Sequence, residues 1–407
     1  MYSIDPKEYN SPKRTRIVLW SVLGFVLTVV LLGLVLLFSG STPPQPGSDT
    51  LPEEEAPLAI DPPINYSNNV ERRAGEQLRD FKAWLRDNNA RGYIGEFGWP
   101  SDADANAWGS VADVWLSELS RSDSDLWVTA WAAGSHWGGY PLRLYQPSGD
   151  TSEGINATTP QTGRLERFWN NKQHLGEYGL NLAGMEFGDS ASAANPGIAG
   201  QDYFYEPNET FAYLASRGVH IVRLPFKWER IQPELYGPLD TNQVNQITAM
   251  LDAADANDIH IILDLHNYGI YDSGAGRVYR LGDADFGADA LVNVWSAIDA
   301  SFGSHAAVIA YDIMNEPHDL PPNGDKAAAA KKWEKISQQV LTSLRGGGYE
   351  GLIMIPGYDW SSTARWRANH PNGWIDDPLN NFRYEAHHYW DADGSGKYEK
   401  SFAEEQR

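Results

Sequence analysis

The chain reads as an α/β protein whose main domain is a (β/α)8 barrel, and three observations predict it. Beyond residue 63, strand-like and helix-like segments alternate, which is the pattern of successive βα units. The strand-like runs number eight, as many as close such a barrel. The chain's 407 residues also accommodate the roughly 250 that the barrel needs, with room for insertions.

Each element has its own signal. Residues 1–16 form a basic tail carrying Lys13, Arg14 and Arg16. Residues 17–38 are an uncharged apolar run, long enough as a helix to cross about 30 Å of hydrocarbon. No basic residue follows until Arg72, so the positive-inside rule places the tail in the cytoplasm and the rest outside. The chain is therefore expected in the cell membrane, single-pass, with an extracellular domain. A cleaved signal peptide and a secreted protein are the alternative, although the apolar core of a signal would be shorter. Residues 39–63 are rich in Pro, Ser, Gly and Glu and predict a semi-extended tether.

The barrel spans 64–407. Val70, Ala74, Leu78, Phe81, Trp84 and Leu85 recur at helical spacing and predict a helix over 68–89. Strand 93–97, a helix near 105–120 and strand 126–131 follow. Residues 138–175 show no clear periodicity and read as loop. Strand 180–184, a helix near 209–217, strand 220–226 and a helix near 241–257 come next. Strand 260–266, a helix near 286–301, strand 308–315 and a helix near 326–344 continue the alternation. Strands 351–356 and 382–389 complete the set.

Composition narrows the partners. A net charge of −22 disfavours nucleic acid, anionic membrane surfaces and polyanionic substrates, whereas a neutral polysaccharide meets no such repulsion. Without cysteine there is neither a disulfide framework nor a thiolate metal site. The 16 tryptophans and 20 tyrosines mainly serve packing, with a minority free to form platforms for pyranose rings.

Two acidic motifs carry the chemistry. Arg91-Gly92-Tyr93-Ile94-Gly95-Glu96-Phe97-Gly98 and Tyr311-Asp312-Ile313-Met314-Asn315-Glu316-Pro317 each end a strand on a glutamate. Barrel enzymes set their catalytic groups at such ends. Two carboxyl groups facing one cleft are what a glycosidase needs. In Val222-Arg223-Leu224-Pro225-Phe226 an arginine stands in an apolar strand and requires a buried anion. By strand alternation His387 and Tyr389 point into the barrel and His388 away from it.

These motifs resemble those of the retaining β-glycanases of glycoside hydrolase family 5, over about 70–405. The resemblance implies a TIM barrel with Glu316 as general acid/base and Glu96 as nucleophile. It implies that Asn315 bonds the sugar 2-hydroxyl and that Arg223 orients the nucleophile. His266, in Asp264-Leu265-His266-Asn267-Tyr268, would contact substrate hydroxyls, Asn267 and His387 would bind substrate or support the site, and Tyr389 would donate to Glu96. Trp131, in Ala130-Trp131-Ala132-Ala133-Gly134, would form the floor under the sugar. In the family the Asn-Glu-Pro motif precedes the Gly-Glu-Phe-Gly motif. Here the order is reversed, so the strands are expected to run 7-8-1-2-3-4-5-6, a circular permutation. A fragment cut from tandem modules is the alternative.

The function implied is a monomeric, cofactor-free and metal-free retaining endo-β-1,4-glucanase, acting on a β-glucan polysaccharide or oligosaccharide. A β-mannanase, xyloglucanase or β-1,3-glucanase of the same family, or a catalytically silent carbohydrate-binding cell-surface protein, are the alternatives. Ser135-His136 and Tyr358 depart from the family pattern and put subsites in doubt. Asp391-Ala392-Asp393-Gly394-Ser395-Gly396 opens like a calcium-binding EF-hand loop, but Phe402 stands where the bidentate glutamate is required.

Overall fold

The computed structural model describes residues 64–407 apart from 102–103, 122–124, 171–175 and 189. The tail, apolar run and tether expected over 1–63 lie outside the described residues. Among the described residues no helix is long and apolar enough to cross a membrane.

Eight parallel strands close one barrel. In chain order they are β1 (Gly92–Glu96), β2 (Leu126–Ala133), β3 (Tyr178–Leu182), β4 (Ile221–Phe226), β5 (His260–Leu265), β6 (Val308–Asp312), β7 (Leu352–Pro356) and β8 (Phe382–His387). Each pairs with its neighbours in sequence, and β1 closes the ring against β8. The seam carries a register shift between Ile94 and Glu96, which sets Glu96 opposite His387. A Cβ at Gly95 would collide with the Glu385 carboxylate. Only glycine admits that approach.

The connecting helices bury one face each. They are α1 (Asn69–Asp87), α2 (Ala105–Leu119), α3 (Thr162–Asn170), α4 (Asn208–Ser216), α5 (Thr241–Asp255), α6 (Ala288–Phe302) and α7 (Lys326–Gly346). Helix α1 is capped by the Asn68 side chain on the Glu71 amide. It lays Val70, Ala74, Leu78, Phe81, Trp84 and Leu85 on the core. The Trp84 ring centroid lies 5.0 Å from Tyr384, 5.3 Å from Trp366 and 6.4 Å from Trp374. A final turn, α8 (Phe402–Glu405), starts in a capping box of Ser401 and Glu404. It meets α1, where Asn69 Nδ2 donates to the Gln406 carbonyl at 2.9 Å and Arg73 Nη2 to Glu405 Oε2 at 3.1 Å.

Several expected boundaries need correction. The ladder stops short of residues 97, 184, 266, 315 and 389. Residues 138–175 are not featureless. They hold a two-residue hairpin of Tyr145–Gln146 with Ala157–Thr158, a turn of 3-10 helix and α3. Helix α3 escaped detection because only Thr162, Leu165 and Trp169 are buried in its nine residues. The hairpin Ile270–Asp272 with Val278–Arg280 was also missed.

Candidate active site

Arg223 is the centre of the site's foundation. It stands on β4, fully buried, where only anions on neighbouring strands make its charge tolerable. Its Nε donates to Asp312 Oδ2 at 2.7 Å, and its Nη1 to Glu96 Oε1 at 3.0 Å and Asn181 Oδ1 at 2.9 Å. Its Nη2 donates to Asn315 Oδ1 at 2.9 Å. Asp264 at 3.1 Å and Glu385 at 3.5 Å complete the ring of acids. Burial disfavours the charge of Arg223, yet the acids, Asp264 and Asp312 first, hold its affinity for protons above the usual value.

The two glutamates of the acidic motifs face each other above it. Carboxylate oxygens of Glu96 and Glu316 and a ring nitrogen of His387 all lie within 4.8 Å of one another. Glu96 is gripped at both oxygens, Oε1 by Arg223 and Oε2 by the Tyr389 hydroxyl at 2.8 Å. Burial and Glu96 push the Tyr389 phenol well up, so it remains a donor. Glu316 follows Asn315 in a left-handed backbone conformation, φ 43°, which lifts its carboxyl off the strand line. His387 Nδ1 lies 2.7 Å from Glu316 Oε1 and 3.5 Å from Glu96 Oε2, and Nε2 lies 3.2 Å from Glu385 Oε1. Burial opposes a charged imidazole, but Glu96, Glu316 and Glu385 together hold His387 well above its ordinary value. Its nitrogens are thus committed to carboxyl partners, and the cluster reads as a proton-handling chain.

His266 Nδ1 donates to Asp264 Oδ2 at 2.7 Å, and Asn315 Nδ2 donates to its Nε2 at 3.2 Å. Trp131 stacks on the same imidazole, centroids 5.5 Å apart and planes 21° from parallel. A cavity of about 520 Å³ contains Glu96, Glu316, Trp131, Tyr389 and the half-exposed Trp360. A second, of about 530 Å³, meets it at Trp131, His266 and Tyr268 and runs on past Trp137, Phe187 and Phe204. The result is an aromatic-walled groove.

Of the residues singled out in the sequence, Glu96, Glu316, Arg223, His266, Asn315, His387, Tyr389 and Trp131 gather here. Asn267 does not. Its Oδ1 accepts from the Trp228 amide at 2.7 Å and its Nδ2 donates to Glu229 Oε2 at 2.7 Å, so it braces a loop instead of facing substrate. His388 points outward, accepting from Trp115 Nε1 at 2.9 Å. The Asp391 carboxyl is occupied by its own loop, accepting from Ser395 Oγ at 2.9 Å and the Gly396 amide at 3.1 Å.

Sequence reasoning missed Glu186. It is buried in the second cavity, one oxygen accepting from the Gly184 amide at 2.8 Å and the other without a partner. Burial pushes its carboxyl up to about 7. A signal existed: Glu186-Phe187-Gly188 repeats the triplet Glu96-Phe97-Gly98.

A closed barrel with two carboxyl groups this near, at strand ends in an aromatic groove, has the constitution of a barrel glycoside hydrolase. Comparison with known proteins makes the class specific. The model of the cellulase family (glycosyl hydrolase family 5) matches residues 175–407. The chain belongs to glycosyl hydrolase family 5. The manganese-dependent endoglucanase Eg5A of Phanerodontia chrysosporium is 28% identical over 255 residues, 61% of this chain and 59% of that protein. Endo-β-1,4-glucanase B of Emericella nidulans is 28% identical over 229 residues, 56% of this chain and 63% of that protein. The chain thus spans about three fifths of these relatives. Among solved structures, an endo-β-1,4-glucanase of Xanthomonas axonopodis pv. citri is 38% identical with a TM-score of 0.47, covering 54% of this chain and 67% of that one. The matched segment of the family begins at 175, so β1 with Glu96 and β2 with Trp131 lie outside it.

Proposed function

We propose that this chain is a retaining endo-β-1,4-glucanase whose barrel is a circular permutation of the family's. In this reading β3 to β8 are the family's first six strands, and β1 and β2 its seventh and eighth. The single observation that carries it is the meeting of Glu96 and Glu316, from distant parts of the chain, with oxygens within 4.8 Å. Retaining enzymes hold their carboxyl groups about 5–5.5 Å apart and inverting ones about 6.5–9.5 Å.

Glu316, protonated, gives its proton to the glycosidic oxygen as that bond breaks. Glu96, oriented by Arg223 and Tyr389, attacks the anomeric carbon from the opposite face and forms a glycosyl ester. Glu316, now a carboxylate, takes a proton from water, which hydrolyses the ester and returns both residues to their starting states. Asn315 would meet the 2-hydroxyl and Trp131 the sugar face. The names of the curated relatives support β-1,4-glucan as substrate. The apolar run 17–38 is proposed to anchor the enzyme in the cell membrane, with the barrel working as a monomer outside.

The test is release of reducing sugar by residues 64–407 from carboxymethylcellulose, with mannan and laminarin as competitors. Carboxymethylcellulose should be preferred. Glu96→Ala should lose turnover and regain part of it with azide, giving a glycosyl azide of inverted configuration. Glu316→Ala should spare substrates with activated leaving groups. Wild-type activity of either variant on polymer would overturn the assignment, and no hydrolysis by the unaltered protein would leave a binding protein.

A further inference from the structure

The foundation of the site holds more acid than its charge can balance. Glu96, Asp264, Asp312 and Glu385 surround one guanidinium, and all five groups are buried. Asp312 and Glu385 stand on β6 and β8, the two strands that flank β7, and converge on one guanidinium nitrogen. Asp312 Oδ2 and Glu385 Oε1 each meet Arg223 Nη2, at 2.7 and 3.5 Å. Their other oxygens, Asp312 Oδ1 and Glu385 Oε2, are buried with no donor. Two facing carboxyl groups without a donor repel unless a proton lies between them.

We propose that Asp312 and Glu385 share one bound proton, and that this singly charged pair, acting through His387, positions the proton that Glu316 transfers. The second half rests on the acid/base role proposed for Glu316. Neither residue touches substrate, so both are positioning residues. With one proton the pair carries a single negative charge, and Glu385 Oε1 accepts the His387 Nε2 proton. The imidazole is thereby oriented, leaving Nδ1 and Glu316 Oε1 to hold one proton between them across 2.7 Å.

The surroundings agree. Burial, reinforced by Glu385, pushes the Asp312 carboxyl well above the ordinary range. The other titratable groups facing the pair are Arg223 from β4, Asp264 from β5, Tyr93 from β1 and His387. Burial keeps the Tyr93 phenol neutral, and it is bonded to Thr129. Asp264 is engaged by Arg223 and His266. Among the described residues no donor reaches the two orphan oxygens.

Infrared difference spectra test the proton and pH profiles test its consequence. At neutral pH the wild-type protein should show a protonated carboxyl C=O band that shifts in D2O and is lost in Asp312→Asn and in Glu385→Gln. Absence of that band overturns the shared proton, whatever the variants do. In kcat/KM profiles, Glu385→Gln removes one negative partner of His387, with Glu96 remaining at 3.5 Å, and should move the alkaline limb down by about one pH unit. Asp312→Asn keeps a donor toward Glu385 and should leave that limb in place. A limb that moves as far in Asp312→Asn, or that stays put in Glu385→Gln, overturns the positioning role. A band present while Glu316→Ala lacks an acid/base phenotype would instead sink the reading of Glu316 and spare the shared proton.

Discussion

Glu186 shows how one buried carboxyl couples the site to stability. Burial raises it from the ordinary range to about 7. The unfolded chain ionises it near 4.5, so between about 4.5 and 7 the folded state binds a proton that the unfolded state has released. Stability therefore falls as pH rises through that window and is restored below it. Glu186→Gln removes the titration and should be the more stable protein above pH 7, by up to about 3 kcal/mol. Urea unfolding at about pH 8 and pH 4 checks this: the advantage should vanish at the lower pH. An equal gain at both would assign the effect to packing. The sequence points to the strand-end residues around the cleft because motifs and strand parity are local. It does not single out Asp264, Asp312 and Glu385, although Arg223 implies buried anions. Which acids converge on Arg223 depends on strands far apart in the chain, and Asn267 turns aside because a neighbouring loop offers it two partners.

At the scale of elements, His388 is a pin. It sits on the segment after β8, accepts from Trp115 of α2 at 2.9 Å, and its other nitrogen meets Gln77 of α1 at 3.1 Å. Accepting from an indole requires a neutral ring. Burial depresses His388 to about 3. The unfolded chain takes up a proton below about 6.5 while the folded one refuses it. Stability is thus full above that value and lost as pH falls toward 3, by about 1.4 kcal/mol per unit. His388→Gln should flatten this acid slope by about one proton, read from unfolding free energies between about pH 7 and 4. An unchanged slope would place the acid lability elsewhere. The eight strands and the long helices are readable because each repeats an apolar period over several turns or pleats. The two hairpins and α3 are not, since two- and three-residue strands and a helix with three buried positions leave too short a pattern.

At the scale of the whole molecule, the barrel is closed by strands near its beginning in sequence. β1 lies between β8 and β2 and pairs in parallel with both, so its loss opens a sheet on both sides. Deleting the chain through residue 140 should therefore give aggregated protein with unpaired strand edges. A soluble folded monomer, judged by sedimentation and circular dichroism, would show that the remaining strands close without it. The same long-range closure has an optical consequence. Trp84 reaches the barrel from helix α1, whereas Trp366 and Trp374, at 5.3 and 6.4 Å, arrive with the last third of the chain. Indoles that close couple their excited states, and Trp84 adds its share to the signal of Trp366 and Trp374 only while α1 is seated against them. The protein thus carries an intrinsic cluster of chromophores whose signal reports whether α1 and the last third of the chain are packed together.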